Sequence, residues 1–138
     1  MNVHACLAVD ARHEKVLVTF KIENRGERRV WLPRAIAAET RLRSRLFDVR
    51  AFPGDAPVAY TGPAGEQAAR GVDAADYVEV APHSFHAHTI DITQYYAFAP
   101  GEHTYQIRYA GQVIGDIRQP DVLADLRTEP LMFVHAAP

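Results

Sequence analysis

Three histidines crowd six positions of the stretch "APHSFHAHTI": His83, His86 and His88. Imidazole nitrogens are favoured ligands for zinc and copper, so this cluster is the first place to look for chemistry. His86 and His88 are two residues apart. On a strand both would point the same way, with Ile90 and Ile92 continuing that face. A metal site needs third and fourth ligands and groups that orient them. His83 precedes the strand and would have to swing in, while His103 and His135 contribute only if the fold brings them near. The competing reading is the half-buried start of a strand whose histidines bond to backbone. A small metal-binding protein using His83, His86 and His88 therefore stands as an alternative function, and the strand reading is preferred.

Other chemical motifs are incomplete. His13-Glu14 begins like the zinc-protease H-E-x-x-H, but position 17 is Leu17 and the segment runs into a strand pattern. The two serines, Ser44 and Ser84, lie outside any G-x-S-x-G elbow. Gly62 and Gly65 are not followed by G-K-[ST], and Asp73 and Asp76 lack the alternating spacing of a calcium loop. No catalytic residue is assigned, and no enzyme activity or cofactor is expected. Arg41, Arg43 and Arg45 in "ETRLRSRLF" are different. They project charge from a loop or strand edge, either as a solvated edge or as a docking patch for an acidic partner.

The elements that would position these residues follow a two-residue period. Val16, Val18, Phe20 and Ile22 share one side of "EKVLVTFKIEN", and "NRGE" marks a turn. "RRVWLP", "LFDVRAF", "YVEVAP", "FHAHTIDIT", "TYQIRYA" and "PLMFVHA" read as further strands, with "PVAY" as the hairpin partner of "LFDVRAF". Residues 61–76 lack either period and read as a long loop, with a helical turn around Gln67–Arg70. The fold expected is all-β: an immunoglobulin-like antiparallel β-sandwich of seven to nine strands in a single domain, 1–138, with a barrel as runner-up.

Composition agrees with that frame. The chain has 138 residues, 48% hydrophobic and 23% charged, enough for one sizeable core. Its net charge of −2 argues against general nucleic-acid binding, and no run is long enough to cross a membrane as a helix. Residues 1–50 hold 11 of the 15 basic and 6 of the 17 acidic residues, so the two parts of the chain have opposite sign. The start, "MNVHACLAVDARHEK", lacks the pattern of a signal peptide, and a cytoplasmic protein is expected. The single cysteine, Cys6, has no partner for an internal disulfide and reads as a small apolar filler in a first strand.

One ordered set of phrases exceeds composition. "LFDVRAFPGDAPVAYTGP", "ADYVEVAP" and "IDITQYYAFAPGEHTYQIRYAG" together resemble the N-terminal, propeptide-like domain of aspzincin metalloendopeptidases, the deuterolysin and lysine-specific group. The matching positions are Leu46, Phe47 and Val49; Pro57, Val58, Tyr60, Gly62 and Pro63; Asp76, Tyr77, Val78, Ala81 and Pro82. Ile90, Asp91, Ile92, Thr93, Tyr96, Gly101, Tyr105, Ile107 and Tyr109 follow. The resemblance spans about residues 46–109. It implies an immunoglobulin-like sandwich, and it implies that His83 stands where relatives carry a turn glycine.

The H-E-x-x-H peptidase domain of that family is not in this sequence. The resemblance thus implies a non-catalytic protein-binding module, inhibitor-like or immunity-like, that occludes a cognate zinc metallopeptidase or toxin. The expected contact residues are Arg41, Arg43, Arg45, Tyr60, Gly62 and Pro63, with the 61–76 loop. A self-associating structural sandwich is the third reading; the sequence carries no signal for oligomeric state.

Overall fold

The alternating patterns are built as nine strands in a computed structural model, which describes residues 2–42, 44–63, 74–115 and 123–138. They are β1 (Val3–Asp10), β2 (Leu17–Asn24), β3 (Val30–Pro33), β4 (Phe47–Phe52) and β5 (Tyr77–Val80). β6 (Ser84–Asp91), β7 (Gly101–Ile114), β8 (Leu123–Arg127) and β9 (Leu131–Ala137) complete the set. One sheet has the order β1-β2-β6; the other contains the remaining six strands around β7, and every pairing is antiparallel. This is the expected all-β sandwich. β1, β2 and β6 oppose β3, β7 and β8–β9, as the A, B, E and C, F, G strands do in immunoglobulin-like domains.

β7 organises the larger sheet because its 14 residues serve two sets of neighbours. Its first half pairs with β4 and β9; its second half pairs with β8, and Ile114 reaches Trp31 of β3. β8 and β9 run in succession along β7. Arg127 faces Ala110 and Leu131 faces Ile107, so four steps of the outer chain match three of β7. The extra residue is a bulge, and Thr128 fastens it. Its N–H donates to the Tyr109 carbonyl at 3.0 Å, and its hydroxyl accepts from the Tyr109 N–H at 2.9 Å.

Between the sheets lies one core. Val16, Val18, Phe20, Ile22, Leu32, Val49, Ile92 and Ile107 are fully buried, each large side chain contributing about 1.5–3 kcal/mol relative to exposure. Tyr109 joins the two layers through edge-to-face contacts with Phe20 at 5.1 Å and Phe47 at 6.2 Å. Its ring also explains Gly111: a Cβ there would lie 2.2 Å from the Tyr109 hydroxyl.

Two buried polar side chains lock the corners. Asn24 Nδ2 donates to the carbonyls of Arg28 and Val80, and its Oδ1 accepts from the Gly26 N–H. The β2–β3 turn is thereby tied to β5 of the opposite sheet. Tyr96 donates its hydroxyl to the Phe47 carbonyl at 2.7 Å and accepts from the Phe47 N–H at 3.1 Å. Burial pushes the Tyr96 hydroxyl up to about 12, against a smaller opposing effect of the Phe47 backbone bond.

The structure departs from the sequence reading in four places. β8 forms in a stretch with weak pattern, because its register is imposed by β7. "PVAY" makes no full hairpin: Pro57 bridges Arg50 and Val58 donates to Val49, after which the chain leaves to bridge Tyr96 through Tyr60. A one-turn helix, α1 (Arg34–Ala37), follows β3. Cys6 lies on β1 as expected but points outward and is exposed, because Ala5 and Leu7 take the inward positions.

Candidate protein-docking face

Strands β4, β7 and β9 present an outer face whose rows follow from register. Phe52, Thr104 and Val134 form one row; Arg50, Gln106 and Met132 the next; Asp48 and Arg108 the third. The inward positions Phe47, Val49, Tyr105, Ile107, Phe133 and His135 are buried, so these outward residues meet solvent. Three of them are large and apolar. Phe52 is 52% exposed, Val134 50% and Met132 44%. A sheet face open to water ordinarily alternates to polar residues, and here three large apolar side chains in two adjacent rows form an exposed apolar patch instead.

Beside them lies a guanidinium cluster. Asp48 accepts from Arg45 at 3.1 Å, from Arg50 at 3.2 Å and from Arg108 at 2.9 Å; Arg50 also reaches Asp55 at 3.4 Å. Burial raises the Asp48 carboxyl, but the hydrogen bonds and charges of Arg50 and Arg108 outweigh it and hold it below the usual aspartate value. Three guanidiniums and two carboxylates leave a formal excess of one positive charge. An open depression of about 330 Å³ is lined by Asp48, Arg50, Phe52, Asp55, Gln106 and Arg108. A second, about 460 Å³ and mostly apolar, is lined by Phe52, Pro53, Pro57, Ala59, Ala97 and Tyr105, among others. Phe52 borders both.

The outer face of the smaller sheet has a different character. Its rows are His4–Glu23–Phe85, Cys6–Lys21–Ala87 and Ala8–Thr19–Thr89. A fourth row, Asp10–Leu17–Asp91, places a half-buried Leu17 on this face, and Phe85, 66% exposed, is overlain by the Lys21 ammonium at 4.7 Å. Thr19 and Thr89 share a hydrogen bond of 2.7 Å.

The histidines of the opening stretch have other partners. His86 and His88 lie half-buried on the inward side of β6, in line with Ile90 and Ile92. Each donates from Nε2 to a backbone carbonyl at 2.7 Å, His86 to Ala37 and His88 to Glu39. A carbonyl only accepts, so both nitrogens carry hydrogen. Together they clamp the end of α1 and the following link onto β6. His83 sits apart in the β5–β6 turn with φ 57, a left-handed position that favours glycine, and its ring faces Glu27 at 3.1 Å. His103 and His135 pair across β7 and β9; His103 donates to the Pro100 carbonyl, and His135 packs against Phe98. Among the described residues, no group of three or more His, Cys, Asp or Glu side chains is arranged to hold a metal ion.

The residues expected to bind a partner fall into two groups. Tyr60, Gly62 and Pro63 shape one turn: Tyr60 donates to the Pro63 carbonyl and its ring packs on Tyr96 at 5.4 Å. Gly62 fits beneath the rings of Tyr60 and Tyr95, where a Cβ would lie 2.6 Å from each. Arg41 is exposed in the link before β4, and Arg45 joins the Asp48 cluster. Arg43 and residues 64–73 of the expected loop, including the helical turn at 67–70, lie outside the described residues.

Phe52, Met132, Val134, Arg50 and Arg108 escaped the sequence reading. A signal for them existed. In "LFDVRAF" the outward series is Asp48, Arg50, Phe52, and in "LMFVHAA" the outward series Met132, Val134, Ala136 holds no polar residue.

No protein-family model matches this chain, and no curated protein matches it significantly. Among the described residues, no helix is long and apolar enough to cross a membrane.

Proposed function

We propose that this chain is a non-catalytic protein-binding module whose partner covers the outer face of β4, β7 and β9. The observation that supports it is the convergence of Phe52, Met132 and Val134 in two adjacent rows beside the Asp48 arginine cluster. An apolar centre with arginine at its border is the composition of a protein interface. A partner of ordinary size buries about 800 Å² of this chain. In line with the aspzincin resemblance, the partner is a zinc metallopeptidase or a toxin domain, occluded in an inhibitor-like or immunity-like manner.

The test is inhibition. Zinc peptidases co-purifying with the chain from its native cells are assayed with stoichiometric amounts of the wild type and of a Phe52→Glu/Val134→Glu variant. The reading requires that activity fall with the wild type and not with the variant. Equal inhibition by both removes this face from the function. A chain that forms only a concentration-dependent oligomer replaces the reading with self-association through the same face.

A further inference from the structure

We infer that the partner segment received by this face presents an apolar side chain and a carboxylate, two to four residues apart on an extended strand. The inference rests on the docking reading above and specifies the chemistry of its ligand.

Three features of the face carry it. First, the two depressions differ in kind: one is bounded by Pro53, Pro57, Ala97 and Phe52, the other by Arg50, Arg108 and Asp48. An apolar group fits the first, whose lining is mostly apolar, and an anion fits the second. Second, the arginines retain capacity. Arg108 is half exposed and, among the described residues, only its Nε is engaged, on Asp48 at 2.9 Å. Its two terminal nitrogens remain as a fork of the width that accepts a carboxylate end-on. Asp48 orders that fork while cancelling only part of the cluster's charge.

Third, spacing sets the sequence of the ligand. Phe52, Arg50 and Asp48 are successive outward residues of β4, so their rows lie about 7 Å apart. An extended peptide has the same repeat for residues on one of its sides. With an apolar residue at position i over Phe52, the Arg50 row is matched by the position two residues away and the Arg108 row by the position four residues away, in the direction set by the peptide's orientation. A basic residue at those positions would meet Arg50 and Arg108 with like charge.

The test uses a displayed library of random twelve-residue peptides, panned on the full chain. The expected outcome is enrichment of an aromatic or aliphatic residue with Asp or Glu two to four positions away on one side of it. Affinity should fall at least tenfold in Arg108→Glu and in Phe52→Ser and fall between 50 and 500 mM salt. It should stay within twofold in Lys21→Glu, on the opposite sheet. Thermal melts establish that the variants fold, and Arg108→Gln replaces Arg108→Glu if the latter does not. Peptides that need Phe52 but carry no carboxylate, or that ignore Arg108, overturn this inference and leave the docking face standing. Peptides that lose binding only in Lys21→Glu overturn both, as does a library that enriches nothing.

Discussion

Replacing His86 and His88 by alanine distinguishes a structural clamp from a metal site. Each ring donates one hydrogen bond of 2.7 Å to a carbonyl of the α1 link, at Ala37 and at Glu39. A bond of this kind contributes about 1 kcal/mol net, and the half-buried ring adds a few tenths through lost packing. Each single variant should therefore lose about 1–1.5 kcal/mol, or about 3–5 °C in melting temperature for a chain of this size. The bonds hold carbonyls two residues apart in one segment, so the second loss should be smaller once the first has loosened it. Urea unfolding supplies the free energies, and amide exchange of residues 38–42 should quicken in the single variants while β7 stays protected. The same melts with chelator, or with zinc at 100 µM, should be unchanged. A site of 1 µM affinity would instead stabilise the folded chain by about 2.7 kcal/mol under that zinc concentration. A zinc-dependent melting temperature that disappears in His86→Ala would refute the clamp.

Other positions give independent tests. Gly111→Ala should cost about 1–3 kcal/mol in urea unfolding, because its Cβ meets the buried Tyr109 ring, and Tyr109→Phe in the same chain should restore part of that loss. His83→Gly should be neutral or stabilise by up to about 1 kcal/mol, since φ 57 strains a residue with a Cβ. Stability measured against pH should fall below about pH 4, because Asp48, Glu23 and Asp10 titrate lower in the folded chain, Asp10 at about 2. Such carboxylates stabilise above their unfolded values and lose that contribution as pH drops through the folded ones, so Asp48→Asn should flatten the acid limb. At the other extreme burial raises Tyr96 and Tyr109 to about 12, so stability should be lost as pH rises from about 10 toward 12.

Strand periodicity was legible wherever one face is buried, as in Val18, Phe20 and Ile22, because a half-buried strand writes its environment into alternate residues. β8 was not legible. Its residues are placed by the register with β7 and by the Thr128 bulge, contacts that no local window contains. The same limit hid the arginine cluster: Arg50 and Arg108 are 58 positions apart and share Asp48. The histidine cluster was legible as a half-buried strand start, but its carbonyl partners lie 49 residues away in sequence. Tyr60, Gly62 and Pro63 stood out for a different reason. They shape a turn against Tyr95 and Tyr96, where the Tyr60 ring packs on Tyr96 and the missing Cβ lets Gly62 pass beneath the rings.

The most direct test of the docking face compares two exposed aromatic positions on opposite sheets. A photo-crosslinking p-benzoyl-phenylalanine is placed at Phe52 in one chain and at Phe85 in another, and each is irradiated in its native cells. The account predicts a discrete covalent adduct with one partner protein from position 52 and none from position 85. An adduct from position 85 alone, or irradiation of position 52 that leaves the chain uncoupled, would contradict it.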